Sequence, residues 1–152
     1  MLRTILAFII AIIAAALVAS VIQTQFNLAA LSELTLDIDI NTRISTIIHD
    51  IIHFSPTIAV ILLAALLIAF PVAYFLAQRW PSYERWLFMA AGGVGLAVAF
   101  SVVDALVPMP TLIAANRTLF GFVLMSLTGV LAGWVFDRLW NPRRYELKEP
   151  VA

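Results

Sequence analysis

Residues 58–77 read IAVILLAALLIAFPVAYFLA, a run of 20 residues without a charge. As a helix rising 1.5 Å per residue, such a run crosses the roughly 30 Å hydrocarbon core of a bilayer. Pro56 stands just before it and Gln78-Arg79-Trp80-Pro81 just after it. The most polar part of the chain lies upstream and a short basic turn lies downstream. If this segment crosses a membrane, the rest of the topology follows.

Comparable apolar runs recur at residues 4–22, 86–107 and 118–137. The chain of 152 residues is 63% hydrophobic and 12% charged, against roughly 45–50% and 25% in soluble domains. These observations predict a single membrane domain, all-α, built as a bundle of four transmembrane helices. The absence of cysteine excludes disulfides, thiolate metal sites, iron–sulfur clusters and thiol nucleophiles. No block of like charges points to nucleic acid.

The first run follows Met1-Leu2-Arg3 and ends in Val18-Ala19-Ser20-Val21-Ile22. One basic residue, an apolar stretch and small residues at positions 18–20 also suit a secretory signal. The run from Ile5 to Ile22 exceeds the usual apolar core of about 7–15 residues, so a retained first span is expected. Phe26 to Leu31 continue it as a helix leaving the bilayer. Residues 34–41, LTLDIDIN, alternate apolar and polar side chains with the period of a strand. Such a segment belongs at the surface, because hydrocarbon would leave its backbone unsatisfied.

From about residue 42 to 54 the period becomes helical. Asn41 or Thr42 is placed to cap this helix. Ile44, Ile47, Ile48, Ile51 and Ile52 recur along it, with Arg43, Thr46, His49, Asp50 and His53 between them. This pattern predicts a short amphipathic interfacial helix on the outer side, between the first and second spans. Ser55-Pro56 is expected to stop it. Within the second span, Pro71 removes a backbone bond to Leu67 and predicts a kink.

Orientation rests on the cations. Arg3, Arg79, Arg85, Arg138, Arg143, Arg144 and Lys148 fall on one side, Arg43 and Arg117 on the other. Seven against two predicts cytoplasmic N- and C-termini in a bacterial-type inner membrane, with residues 138–152 as a cytoplasmic tail. Trp80, Trp86, Trp134 and Trp140 lie near the same face and form half of an aromatic belt.

Helices in lipid associate through close backbone approach more than through apolar burial. Small residues recur every fourth position: Ala7, Ala11, Ala15 and Ala19, then Ala65, Ala69, Ala73 and Ala77, then Ala91, Gly95 and Ala99. The fourth span has Gly121, Gly129 and Gly133, interrupted by Met125. These rows are the expected packing faces, with room for a membrane-protein partner or a second copy. Gly92-Gly93-x-Gly95 lies in an apolar span and reads as packing rather than as a phosphate loop.

Two constellations could carry chemistry. His49-Asp50-Ile51-Ile52-His53 places two imidazoles four residues apart on one helix face. The pattern resembles the zincin H-E-x-x-H motif, in which the glutamate is the general base. That resemblance implies a divalent metal on His49 and His53, with Asp50 in the glutamate's place. It departs from the motif in the shorter Asp50 and in having no third histidine, whereas catalytic zinc takes a third protein ligand. The simpler reading is the water-facing side of an interfacial helix, and no cofactor is expected. Asp104 and Arg117 bracket the second outer loop, with Asn116 beside them. They predict a polar cluster or ion pair at the outer boundary that pins the hairpin, which Gln23 and Gln25 could extend.

Packing features abound and chemical ones are few. The sequence therefore favours a non-enzymatic accessory, assembly or interaction subunit in the bilayer. The alternatives are a metal-binding sensor or metal-dependent enzyme on the outer histidine motif, and a small transporter or channel subunit.

Overall fold

The computed structural model describes residues 2–33, 39–106 and 113–141. Five α-helices follow in order: α1, Leu2–Ser32; α2, Ile40–His53; α3, Ser55–Arg79; α4, Glu84–Leu106; and α5, Leu119–Trp140. Short 3-10 turns at Pro81–Tyr83 and Ala114–Arg117 lead into α4 and α5. There is no strand among the described residues. Most of the alternating segment, residues 34–38, lies outside them, and its last residues, Ile40 and Asn41, are already helical. The break after residue 106 and the tail from residue 142 also lie outside the described residues.

α1, α3, α4 with its leading turn, and α5 are each long and apolar enough to cross a membrane. The protein is an all-α, four-helix, multi-pass membrane protein. At 31 residues α1 is about 46 Å long, more than the hydrocarbon core needs. Its last third, from Gln23 to Ser32, therefore projects beyond the apolar layer.

The element boundaries refine the sequence reading in two places. Asp39 is the N-cap of α2, with φ −59° and ψ 151°, so Asn41 and Thr42 lie inside the first turn. Ser55-Pro56 does not sit in a loop either. α2 and α3 are separated by Phe54 alone, and Pro56 occupies the first turn of α3. There its missing N–H removes no bond the new helix needs, while it denies α2 a donor for the Ile52 carbonyl. Pro71 lies within α3, which continues through it as one helix to Arg79. Thr118 caps α5, its hydroxyl accepting from the Gly121 N–H at 3.0 Å.

The four long helices close into a ring. α4 packs most extensively on α5, α1 packs on α5, α3 on α4, and α1 completes the circuit against α3 along a thinner contact. Neighbours run antiparallel: the start of α1 meets the end of α5 through Arg3 Nε, which donates to the Leu139 carbonyl at 3.1 Å. At the other end Gln23 of α1 meets Ala115, just before α5.

The closest approach is between α4 and α5. A Cβ added at Gly92 would run into the Gly129 carbonyl, and one at Gly129 into the Gly92 carbonyl. One at Gly133 would meet the Phe88 carbonyl. The backbones touch because neither helix carries a side chain there. Gly95 faces α3, where its added Cβ would lie 2.9 Å from Ala69 Cβ. On α1 the row Ala7, Ala11, Ala15 and Ala19 is buried throughout. The α3 row divides: Ala73 and Ala77 are buried, whereas Ala65 and Ala69 are half-buried. A step of four residues advances about 40° around a helix of 3.6 residues per turn, so a long row drifts from one neighbour to the next. Ile58, Leu62, Leu66 and Phe70 take the inward face over the first part of α3.

Substituting Gly92 by Val should destabilise the protein by at least the 1–3 kcal/mol typical of overpacking, roughly stated, because the obstacle is backbone. Gly93→Ala should be milder, since its Cβ would meet only the Val130 side chain, at 2.6 Å. Denaturation midpoints in detergent, followed by tryptophan fluorescence, should rank Gly92→Val well below Gly93→Ala and wild type.

Candidate functional site

The two ends of the bundle differ in chemistry. At the end that holds the start of α1, aromatic rings from all four long helices meet. Phe8 stands edge-on to Phe70, with ring centres 5.8 Å apart, and to Phe136 at 6.4 Å. Phe70 lies 5.5 Å from Phe88 and 4.7 Å from Phe136. Trp140 stacks on Phe136 at 5.9 Å and meets Tyr74 edge-on at 5.7 Å. Each span supplies one phenylalanine at matching depth, so the rings form a layer across the bundle with the edge-to-face geometry aromatic quadrupoles favour.

Beside this layer the α1–α3 contact opens into a cleft of about 560 Å³. Phe8, Leu66, Phe70 and Pro71 line it together with Phe88, Phe136 and Trp140, and Thr4 and Tyr74 complete the lining toward the end that holds the start of α1. A second, shallower hollow of about 520 Å³ runs along the outer surface between α3 and α4, over Ala64, Ala65, Ala69, Gly95 and Ala99.

The opposite end gathers polar groups. Gln23 is buried, and its Oε1 accepts from the Ala115 N–H at 3.0 Å, satisfying a donor in the 3-10 turn. Asn116 Nδ2 donates to Asp104 Oδ2 at 3.3 Å, which joins two of the three residues named for the outer cluster. Arg117 is exposed in the same turn, and Gln25 is exposed on α1. The Thr24 hydroxyl lies 2.7 Å from Asp50 Oδ2 and 2.9 Å from the Ser20 carbonyl, tying α2 to α1. Ser20 Oγ, Ser55 Oγ, Asp104 Oδ1 and Asn116 Oδ1 are buried without a hydrogen-bond partner among the described residues. Ordered water commonly completes such positions.

The histidine motif is divided by the turn of its helix. His49 and His53 are both exposed, their rings stacked with centres 4.1 Å apart and an interplanar angle of 19°. His53 Nδ1 lies 2.9 Å from the His49 carbonyl oxygen. Asp50 is half-buried and engaged with Thr24 on the side facing α1. One residue along a helix turns a side chain by about 100°, which separates the carboxylate from the imidazole before it. Among the described residues no group of three or more His, Asp or Glu side chains converges as metal ligands do.

At mid-depth the interior is filled by Ala11, Ala15, Leu62, Leu66, Leu96 and Met125, all buried. Thr128, also buried, returns its hydroxyl to its own helix, donating to the Met125 carbonyl at 2.7 Å. The arrangement can bind apolar groups and pack helices. No family model, curated protein or solved structure matches the chain.

Sequence reasoning missed the aromatic layer and the Thr24–Asp50 contact. The first had a signal, one phenylalanine in each span at corresponding depth. The second needed the placement of α2 against α1, which no periodicity supplies.

Removing the Thr24–Asp50 bond should loosen α2 without dissolving the bundle. Thr24→Val and Asp50→Ala should each weaken the α1–α2 contact by about 1.5–3 kcal/mol, as for a hydrogen bond to a charged group. Hydrogen exchange of the α2 amides should rise in both variants, while the amides of α4 and α5 keep their protection.

Proposed function

We propose that this protein is a non-enzymatic accessory subunit of a bacterial-type inner membrane, with both termini cytoplasmic, that holds a partner's transmembrane helix against α3 and α4. The observation that carries the reading is the outward hollow between these helices. It is floored by Ala64, Ala65, Ala69, Gly95 and Ala99, the small side chains that allow a second backbone to come close in lipid. Exposed Val60, Val98 and Val102 stand beside it. Ala69 and Gly95 already meet across the α3–α4 contact, and the hollow lies over the outer edge of that seam.

The remaining chemistry supports a packing role. Apart from Thr128, whose hydroxyl bonds its own helix, the buried side chains at mid-depth are apolar among the described residues, whereas conduction or transport would require a polar path. The exposed histidine pair lacks a convergent third ligand among those residues. The arginine asymmetry supports the orientation.

Because the chain has no cysteine, single-cysteine variants report one position each. A photo-crosslinker on Val98→Cys should trap one reproducible partner in native membranes. Ala64→Phe in the same background should abolish the adduct and leave the purified protein folded. Labelling confined to lipid, or an adduct indifferent to Ala64→Phe, would overturn the reading. An adduct made only of a second copy would replace the partner by self-association. For the orientation, a reporter fused after Lys148 should be active in the cytoplasm.

A further inference from the structure

We propose that the cleft between α1 and α3 at the arginine-rich end binds one anionic glycerophospholipid, an acyl chain inside it and its phosphate at Arg3 and Arg79. The cleft is about 560 Å³ and opens sideways from the bundle, within the size range of sites that enclose small molecules, roughly 300–1,000 Å³. Along α3 its lining extends from Leu66 to Phe75, with Thr4 and Tyr74 toward the arginine-rich end and apolar residues alone toward the bundle's middle. That gradient matches a molecule with a polar head and a hydrocarbon tail.

The lining distinguishes an alkyl chain from a protein helix. Two helices approach in lipid over small side chains, as in the hollow between α3 and α4. The α1–α3 cleft is lined by bulky groups such as Phe8, Leu67, Phe70, Pro71 and Phe75, with no alanine or glycine among them. A rigid helix would stand off from such a surface, whereas a flexible chain follows it. Leu67 and Phe75 are well exposed, at 63% and 68%, so a chain in the cleft would cover apolar surface that nothing else in the protein covers.

Charge selects the head. Arg79 lies one helical turn beyond Phe75 on the same face of α3, and its side chain is exposed. Arg3 adjoins Thr4, and its Nε bond to the Leu139 carbonyl holds the guanidinium beside Trp140. A guanidinium fork suits a phosphate by geometry as well as by charge. Arg85 and Arg138 add positive charge at this end. Among the described residues the carboxylates at this end, Glu84 and Asp137, are buried and engaged in contacts of their own. Basic sites between transmembrane helices at the headgroup level favour anionic lipid.

The test uses the full chain in vesicles of phosphatidylcholine containing either phosphatidylglycerol or phosphatidylcholine with brominated acyl chains. Trp80, Trp86 and Trp134 are replaced by Phe so that Trp140, at the cleft, is the only fluorophore. Brominated phosphatidylglycerol should quench Trp140 more efficiently at low mole fraction than the brominated phosphatidylcholine. The relative affinity should fall about fivefold for each of Arg3→Gln and Arg79→Gln. Leu67→Trp would add a fluorophore, so the blocking variant is read by native mass spectrometry instead. It should lose the single phosphatidylglycerol that the wild-type chain retains. Equal quenching by the two lipids, or a retained lipid indifferent to both arginine substitutions, would overturn the proposal. A cleft occupied by a second copy, seen as a dimer that retains no lipid, would overturn it too. Because the arginines lie far from the α3–α4 hollow, failure here leaves the partner crosslink at Val98→Cys unaffected.

Discussion

In hydrocarbon a backbone polar group has no water to turn to, so each crossing must be a helix that satisfies itself. Once that is met, nothing in the solvent pushes one helix against the next. Cohesion has to come from contact, and contact is closest where the side chain is absent. Gly92 and Gly129 meet carbonyl to Cα across the α4–α5 seam, with Gly133 against the Phe88 carbonyl one turn away. The rest of the bundle is arranged about this seam. α1 leans its alanine face on α5, and α3 sets Ala69 against Gly95 on the far side of α4.

The two ends then become chemically distinct for physical reasons. One lies where four helices each contribute a large ring, and rings fill the widening space between helix ends that small residues cannot. The other lies where α1 outlasts the hydrocarbon and its polar residues find partners. Gln23 takes the Ala115 N–H, and Thr24 takes Asp50. A buried acceptor in this position relieves the unpaired donors of a 3-10 turn.

The number and extent of the long helices were legible because apolar run length is a direct consequence of bilayer thickness. Positions around a helix were less so. The alanine row of α3 was read as one face, yet it drifts from the α4 edge at Ala65 and Ala69 to the interior at Ala73 and Ala77. The start of α2 was placed slightly late, because Asp39 caps it by backbone geometry alone, without a side-chain cap bond. Asp50 was grouped with His49 and His53 as one polar face, although α2 turns it toward Thr24. Which helix stands next to which is set by the sum of many small contacts, and no single residue announces it.

The circuit of helices has a consequence for how the protein is made. α1 emerges from the ribosome first, but it packs more extensively on α5, which emerges last of the five, than on α3. Until synthesis passes Trp140, the first helix waits in the membrane with its packing face turned to lipid. Nascent chains halted before that point would present this face to quality-control proteases or to insertion chaperones. The seam between the oldest and the youngest segment is thus what closes assembly.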